Sequence, residues 1–245
     1  MTWNVHLWRV MIDYYVIILC GGSSSRMKLE SDIPKQLQPI YNNKSLIEYQ
    51  IDWLDSYNEG KIILAINTQT YDLLHRTISQ ILSKVEVSIE REKLGTGGAL
   101  HKAAEKLTSN KVYVMNVDDI ILSDNYSPMN LISTLSRGKR DYLASILTSK
   151  GRFPFGVIKS RGHRVSLFEQ KPLLDYKVNI GHYAFCSDTL LNRFPEFGDH
   201  ENTILPQLVD EKQVTFLELT GKWITTNTWK ELVNARKVLQ EYYEN

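Results

Sequence analysis

From Tyr14 onward the chain alternates short β-branched apolar runs with longer stretches whose apolar residues recur at helical spacing. Tyr14–Cys20, Lys61–Asn67, Val85–Glu90, Lys111–Val117 and Asp141–Thr148 read as strands. Ser45, with Glu48 three residues on, is a capping box that opens a helix reaching about Tyr57. Thr70–Ser83 and Gly98–Leu107 continue the helical pattern. Strand and helix in turn predict an α/β fold: a Rossmann-like, doubly wound, mostly parallel mixed sheet. Beyond about residue 150 the pattern shifts to Phe155–Ser160, Arg164–Glu169 and Val178–Phe185 with little helix between them, which predicts hairpins and a β-rich second half. A second capping box, Thr228 with Glu231, opens a closing helix that places Leu232, Ala235, Leu239 and Tyr242 on one face. No repeat or linker interrupts the chain. One domain is expected over 11–245, in two halves over about 11–120 and about 140–245, with residues 1–10 as an appendage.

Charge and composition narrow the function by exclusion. Twenty-nine basic and 28 acidic side chains leave a formal charge of +1, so no strong field favours nucleic acid or an anionic membrane. The apolar run Tyr14–Cys20 stops at Gly21-Gly22, too short to span a bilayer, and the first ten residues lack a signal-peptide pattern. The two cysteines, Cys20 and Cys186, form no disulfide framework and no metal-binding pair, so a cytoplasmic protein is expected. None of the six histidines falls into a ligand or triad spacing, and His182 is the one to follow because of its place in a predicted strand.

Two stretches carry the chemistry that residues alone can suggest. The first strand runs into Gly21, Gly22, Ser23, Ser24, Ser25 and Arg26, followed by Pro34 and Lys35. Small residues let backbone N–H groups approach an anion, and Arg26 and Lys35 add positive charge, so this segment reads as a phosphate cradle. It is neither a Walker loop nor a dinucleotide fingerprint. The other stretch, Tyr113 to Asp119, is an apolar strand ending in paired carboxylates at the carboxyl edge of the sheet, where α/β folds bind ligands. Carboxylate oxygens beside phosphates suit Mg²⁺.

The order of these and further motifs resembles the sugar-phosphate nucleotidylyltransferases, and the likeness extends from Met11 to the end of the chain. Gly21-Gly22-Ser23-Ser24-Ser25-Arg26 with Pro34-Lys35 matches the family's Gly-Gly-x-Gly-Thr-Arg and Pro-Lys, with Ser24 in place of the third Gly. Leu94-Gly95-Thr96-Gly97-Gly98-Ala99 resembles the family's base-binding loop, and Asn116-Val117-Asp118-Asp119 its metal-binding turn, with Val117 where Gly is usual. Phe155-Gly156-Val157, Phe168-Glu169-Gln170-Lys171-Pro172 and Asn179-Ile180-Gly181-His182-Tyr183 resemble the three sugar-side motifs, Gln170 replacing a Glu.

The resemblance implies roles residue by residue. Leu19, Gly21, Gly22, Ser23, Ser24, Ser25, Gly95, Thr96 and Gly97 would bind the nucleotide, while Arg26 and Lys35 would grip its phosphates. Asp118 would hold Mg²⁺, Lys171 the sugar 1-phosphate, and Gly156, Gln170 and Asn179 the sugar. The second metal ligand of the family is an Asp near Trp223, and two alignments place either Thr225 or Asn227 on it.

Glu90 lies where thymidylyl and uridylyl members carry a Gln. A carboxylate there accepts from guanine N1–H and N2–H₂ but cannot donate to O4 of uracil or thymine. The run Glu90-Arg-Glu92-Lys-Leu94-Gly95-Thr96 is similar to that of the mannose- and heptose-1-phosphate guanylyltransferases, although a Glu at an edge-strand end is also at home in solvent. The expected activity is therefore transfer of a nucleotidyl group, from GTP foremost, to a sugar 1-phosphate. Two readings compete with it: the same enzyme class using CTP, UTP or dTTP, and a catalytically weak sugar-nucleotide sensor, suggested by the departures at Ser24, Val117, Gln170 and Asn227. Oligomeric state stays open, with a homo-oligomer among the alternatives.

Overall fold

The structure is a computed structural model and describes residues 14–22, 31, 33–57 and 60–244. In chain order its strands begin with β1 (Tyr15–Leu19), a small hairpin of β2 (Pro39–Tyr41) and β3 (Lys44–Ser45), β4 (Lys61–Asn67), β5 (Glu86–Glu90), β6 (Lys111–Asn116) and β7 (Asp119–Leu122). A second small hairpin, β8 (Ser136–Arg137) and β9 (Arg140–Asp141), precedes β10 (Ala144–Arg152), β11 (Gly156–Arg161), β12 (Arg164–Gln170), β13 (Leu173–Cys186), β14 (Val214–Glu218) and β15 (Lys222–Thr225). The helices are α1 (Leu46–Asp55), α2 (Thr68–Thr77), α3 (Ser79–Leu82), α4 (Gly95–Ala104), α5 (Pro128–Ser133), α6 (Ser187–Arg193), α7 (Ile204–Asp210) and α8 (Trp229–Tyr243).

Seven strands form the main sheet in the order β14-β10-β13-β6-β1-β4-β5. Strands β5, β4, β1 and β6 run parallel, β13 is antiparallel to both of its neighbours, and β10 and β14 are parallel to each other. The sheet is thus mostly parallel and mixed, and strands from both ends of the chain share it.

The sequence of β1 explains its central place. Val16 and Ile18 belong to one hydrophobic cluster with Leu46, Leu74 and Leu232, while Tyr15 and Ile17 belong to another with Leu100, Leu190 and Leu208. Successive side chains of a strand point to opposite faces, so an unbroken apolar run is what a strand with helices on both sides requires. Both capping boxes form: Ser45 N–H donates to Glu48 Oε2 at 2.8 Å, and Thr228 N–H donates to Glu231 Oε2 at 2.9 Å. In α8, Leu232, Ala235 and Leu239 are buried and Tyr242 packs at the margin of the core.

Several elements differ from expectation. The stretch predicted as one helix over Thr70–Ser83 is two, α2 and α3, broken at Ile78, whose φ of −143° lies far from helical values. Helix α4 starts at Gly95 rather than Gly98, because a distant loop satisfies its first N–H groups (below). The strand expected over Lys111–Val117 ends at Asn116, and β7 follows after a two-residue turn to pair with β15. Strand β13 begins at Leu173, before the expected Val178. No helix among the described residues is long and apolar enough to cross a membrane.

Candidate active site

The chain runs from β1 outward to β4 and β5, then returns to place β6 on the other side of β1. At such a reversal the connections leave in opposite directions and open a crevice at the carboxyl ends of the strands. A cavity of about 620 Å³ occupies that place, lined by Leu19, Gly21, Gly22, Lys35, Glu90, Gly95, Thr96 and Asp118, among others. Residues implied by four separate motifs therefore share one cavity. Ser23, Ser24, Ser25 and Arg26 lie outside the described residues.

One end of the cavity is charged. Lys35 Nζ donates to Asp118 Oδ2 at 2.5 Å and to Asn227 Oδ1 at 3.4 Å, drawing together the segment after the phosphate cradle, the end of β6 and the segment after β15. Neighbouring amides fix both anchor points: Gln36 Nε2 donates to Cys20 O and Thr70 Oγ1, and Gln50 Nε2 donates to the carbonyls of Val117 and Asp119. Val117, which stands where the family usually has Gly, is 3% exposed and packs into the core at the edge of the cavity. Of the two alignments for the second metal ligand, Asn227 turns its carbonyl oxygen toward the Lys35–Asp118 pair, while Thr225 Oγ1 accepts from Asn227 Nδ2 at 2.6 Å. Two oxygens from different elements therefore converge on one cation, here the lysine ammonium, and an all-oxygen donor set fits Mg²⁺. Among the described residues no group of three or more His, Cys, Asp or Glu could hold a metal unaided, so further ligands would come from phosphate or water.

Asp119 builds the wall behind Asp118. Its carboxylate accepts from Trp223 Nε1 at 2.8 Å and from Asn116 Nδ2 at 3.1 Å, joining β15 to the end of β6. Burial, reinforced by the charge of Asp118, pushes this carboxyl up to about 7. Gly181 passes directly over it with φ +74°, and a Cβ there would lie 2.1 Å from Asp119 Oδ2.

The other end of the cavity carries Glu90, buried at 7% exposure. A Cβ on Gly21 would lie 2.5 Å from Glu90 Oε1, so the glycine is what lets this carboxyl lie across the end of β1. Burial raises the Glu90 pKa above the ordinary carboxylate value, against opposing effects of the Leu94 backbone and Lys102.

Beside Glu90, the start of α4 is held from above by the loop 195–201. Thr96 N–H donates to Asp199 Oδ1 at 3.0 Å, and the N–H groups of Gly97 and Gly98 donate to Gly198 O at 2.8 and 3.3 Å. A Cβ on Gly98 would sit 2.2 Å from Glu196 O, and one on Gly95 2.6 Å from Gly198 O, so these glycines admit the loop's backbone. The α4 N-terminus is thus already occupied by a carboxylate and a carbonyl, which makes it a poor seat for a phosphate. Gly97 lies beneath that loop and does not line the cavity.

The sugar-side residues stand apart from the cavity lining. Gly156 and Gln170 face each other across the β11–β12 hairpin, with the Phe168 ring and Gln170 Oε1 filling the space a Cβ on Gly156 would need. Lys171 is exposed, with φ +50°, and its N–H donates to Phe155 O at 3.3 Å. Asn179 Nδ2 donates to Tyr183 Oη at 2.6 Å, and its Oδ1 accepts from Gly181 N–H. His182 is fully buried: Nε2–H donates to Asp119 O at 3.0 Å, and Nδ1 accepts from Tyr113 Oη at 2.5 Å. Burial pushes it down to about 4, so it is a neutral structural group.

Residues 15–241 match the family model described as Nucleotidyl transferase. The chain belongs to the nucleotidyl transferase family. Its relatives include a D-glycero-alpha-D-manno-heptose 1-phosphate guanylyltransferase of Campylobacter jejuni, 39% identical over 44% of this chain and 50% of that protein. Another is the mannose-1-phosphate guanylyltransferase catalytic subunit beta of Danio rerio, 29% identical over 89% of this chain and 62% of that protein. The chain thus spans half of the first relative and under two-thirds of the second. HddC from Yersinia pseudotuberculosis has the same fold, with a TM-score of 0.70 at 22% identity, covering 92% of this chain and 99% of that one. This nucleotidyl transferase fold also gives weight to residues the motifs did not mark. Gln36 and Gln50 anchor the segments that carry Lys35 and Asp118, and Asp199 holds the Thr96 N–H. The doubled carboxylate at Asp118-Asp119 was a visible signal, whereas the loop 195–201 carried none.

Proposed function

We propose that the chain is a cytoplasmic, Mg²⁺-dependent guanylyltransferase that joins GTP to a sugar 1-phosphate of the mannose or heptose kind, releasing pyrophosphate. The observation that carries this reading is the polarity of the cavity. Lys35 and Asp118 lie at one end, beside the Gly21-Gly22 turn, and the buried Glu90 lies at the other, beside Gly95 and Thr96. A nucleoside triphosphate has the same polarity, phosphates at one end and base at the other. Glu90 accepts from guanine N1–H and N2–H₂, and the names of the relatives agree with guanine. The two cysteines are free, as suits a reducing compartment.

In the reaction an oxygen of the sugar phosphate forms a bond to the α-phosphorus of GTP in line with the bond from that phosphorus to the bridging oxygen, which breaks as pyrophosphate leaves. The attacking oxygen is already anionic, so no general base is needed, and the protein contributes alignment and positive charge. Lys35 and Arg26 hold the phosphates, Lys171 the incoming sugar phosphate, and Gly156, Gln170 and Asn179 the sugar. Leu19, Gly21, Gly22, Ser23, Ser24, Ser25, Gly95 and Thr96 form the nucleotide seat, whereas Gly97, expected there, lies beneath the loop 195–201 and supports the seat from behind. Asp118 and Asn227 would hold Mg²⁺, which would supply positive charge to offset that of the phosphates.

The test is pyrophosphate release with Mg²⁺, offering GTP, CTP, UTP, dTTP and ATP against hexose and heptose 1-phosphates. Release with GTP alone is expected. Release with another nucleotide overturns the role of Glu90 but leaves the chemistry. A folded protein that binds a GDP-sugar and releases nothing is the sensor instead, a reading favoured by the neutral Asn227 at the metal position.

A further inference from the structure

One carboxylate joins the base loop to the sugar-side turn. Thr96 Oγ1, at the start of α4, donates to Glu201 Oε2 at 2.7 Å. From the other side Tyr183 Oη donates to Glu201 Oε1 at 3.4 Å. Tyr183 accepts in turn from Asn179 Nδ2 at 2.6 Å, and Asn179 Oδ1 accepts from Gly181 N–H at 3.1 Å. The direction of each bond is determined. The Thr96 proton is committed to Glu201, so both His200 contacts to Thr96 Oγ1, from its backbone N–H at 3.2 Å and from Nδ1 at 3.0 Å, are donations. Donors therefore converge on Glu201 from both sides. A carboxylate accepts on both oxygens; the amide of a glutamine presents one acceptor and one donor, so it can accept from only one side.

We propose that Glu201 is a positioning residue that couples nucleotide binding to sugar-phosphate binding, by locking the Thr96 hydroxyl and the Asn179–Gly181 turn into one arrangement. The inference rests on the guanylyltransferase reading for the identity of the two ligands. A ligand that orders one end of the chain of bonds orders the other, and coupling of this kind is reciprocal. Neither Glu201 nor Tyr183 lines the nucleotide cavity, so their influence passes through Thr96 and Asn179.

The test is hydrogen exchange with and without the α,β-methylene analogue of GTP, followed in the segments 94–100 and 178–183, together with steady-state kinetics. In the wild type the analogue is expected to slow exchange in both segments. In Glu201→Gln and in Tyr183→Phe, both near-isosteric, protection is expected to stay in 94–100 and vanish from 178–183. Thr96→Ser is expected to keep the wild-type pattern, and Thr96→Val to lose it. With Glu201→Gln, KM should rise about fivefold or more for both substrates while kcat stays within about threefold. Equal protection of 178–183 in wild type and Glu201→Gln, or protection of 94–100 alone in the wild type, overturns the coupling and leaves the catalytic reading untouched. A wild type that protects both segments but releases no pyrophosphate overturns the catalytic reading and leaves the coupling. Protection of neither segment overturns both.

Discussion

At the scale of single residues, the site turns on a lysine held between an acid and an amide. Lys35 meets Asp118 at 2.5 Å with both groups largely shielded, which puts its ammonium at the charged end of the cavity. A preorganised charge acts on the transferring phosphoryl group without reorganisation, and removing one such donor typically costs 10²- to 10³-fold in rate. Lys35→Ala is accordingly expected to lower kcat by about 10²-fold or more with the fold intact, checked by pyrophosphate release alongside circular dichroism. Asn227 gives the opposite opportunity. Replacing its neutral oxygen by a carboxylate strengthens a site for a hard divalent cation, so Asn227→Asp should lower the half-saturating Mg²⁺ concentration severalfold in a titration of activity. That Lys35, Asp118 and Glu90 share one cavity was legible in the sequence because each stands in or beside a motif that the family resemblance places at one site. Asp119 was visible as a carboxylate, but its work of tying Trp223 to Asn116 was not, because Trp223 lies 104 residues away.

At the scale of elements, what was legible follows from where each element gets its stability. Strands β1, β4 and β6 have interiors buried on both faces, and their unbroken apolar runs announce it. Helices α1 and α8 carry their own caps, so their starts were readable from four residues. Helix α4 has no side-chain cap of its own, and its start is set by Asp199 and Gly198, about a hundred residues downstream, so local sequence placed it three residues late. The pairing of β7 with β15 is equally remote and escaped the pattern. The borrowed cap carries an expected cost. Asp199→Ala leaves the Thr96 N–H without its acceptor, a loss of about 1 kcal/mol by analogy with helix N-caps, to be measured by urea denaturation. The same variant should raise KM for GTP, because Asp199 lines the cavity beside Thr96.

At the scale of the whole molecule, the centre of the sheet is tied to the site by a line of polar groups inside the core. Tyr126 Oη donates to Tyr113 Oη at 3.0 Å, Tyr113 to His182 Nδ1, and His182 Nε2–H to the Asp119 carbonyl, with no exposed member. This line makes the fold sensitive to acid in a predictable direction. His182 titrates near its ordinary 6.5 in the unfolded chain and near 4 in the folded protein, because burial disfavours the imidazolium. Between those values the unfolded chain binds the extra proton, so stability is fully present above about pH 6.5 and falls as pH drops toward 4, by roughly 3 kcal/mol in all. Asp119 works the other way: its folded-state carboxyl takes up a proton near 7 and its unfolded one near 3.8, so acid favours the folded form over that span. A bare acid titration of the wild type would therefore mix two opposed contributions. Comparison with His182→Gln separates them, since glutamine can donate to the Asp119 carbonyl and accept from Tyr113, and Asp119 titrates in both proteins. Urea denaturation in steps from pH 7.5 to 4.5 should show the wild type ahead at the upper end and its lead shrinking steadily below pH 6.5. Curves that stay parallel throughout would mean that His182 takes up its proton as readily in the folded protein as in the unfolded chain, and the hydrogen-bond line described here, which requires a neutral imidazole, would be wrong.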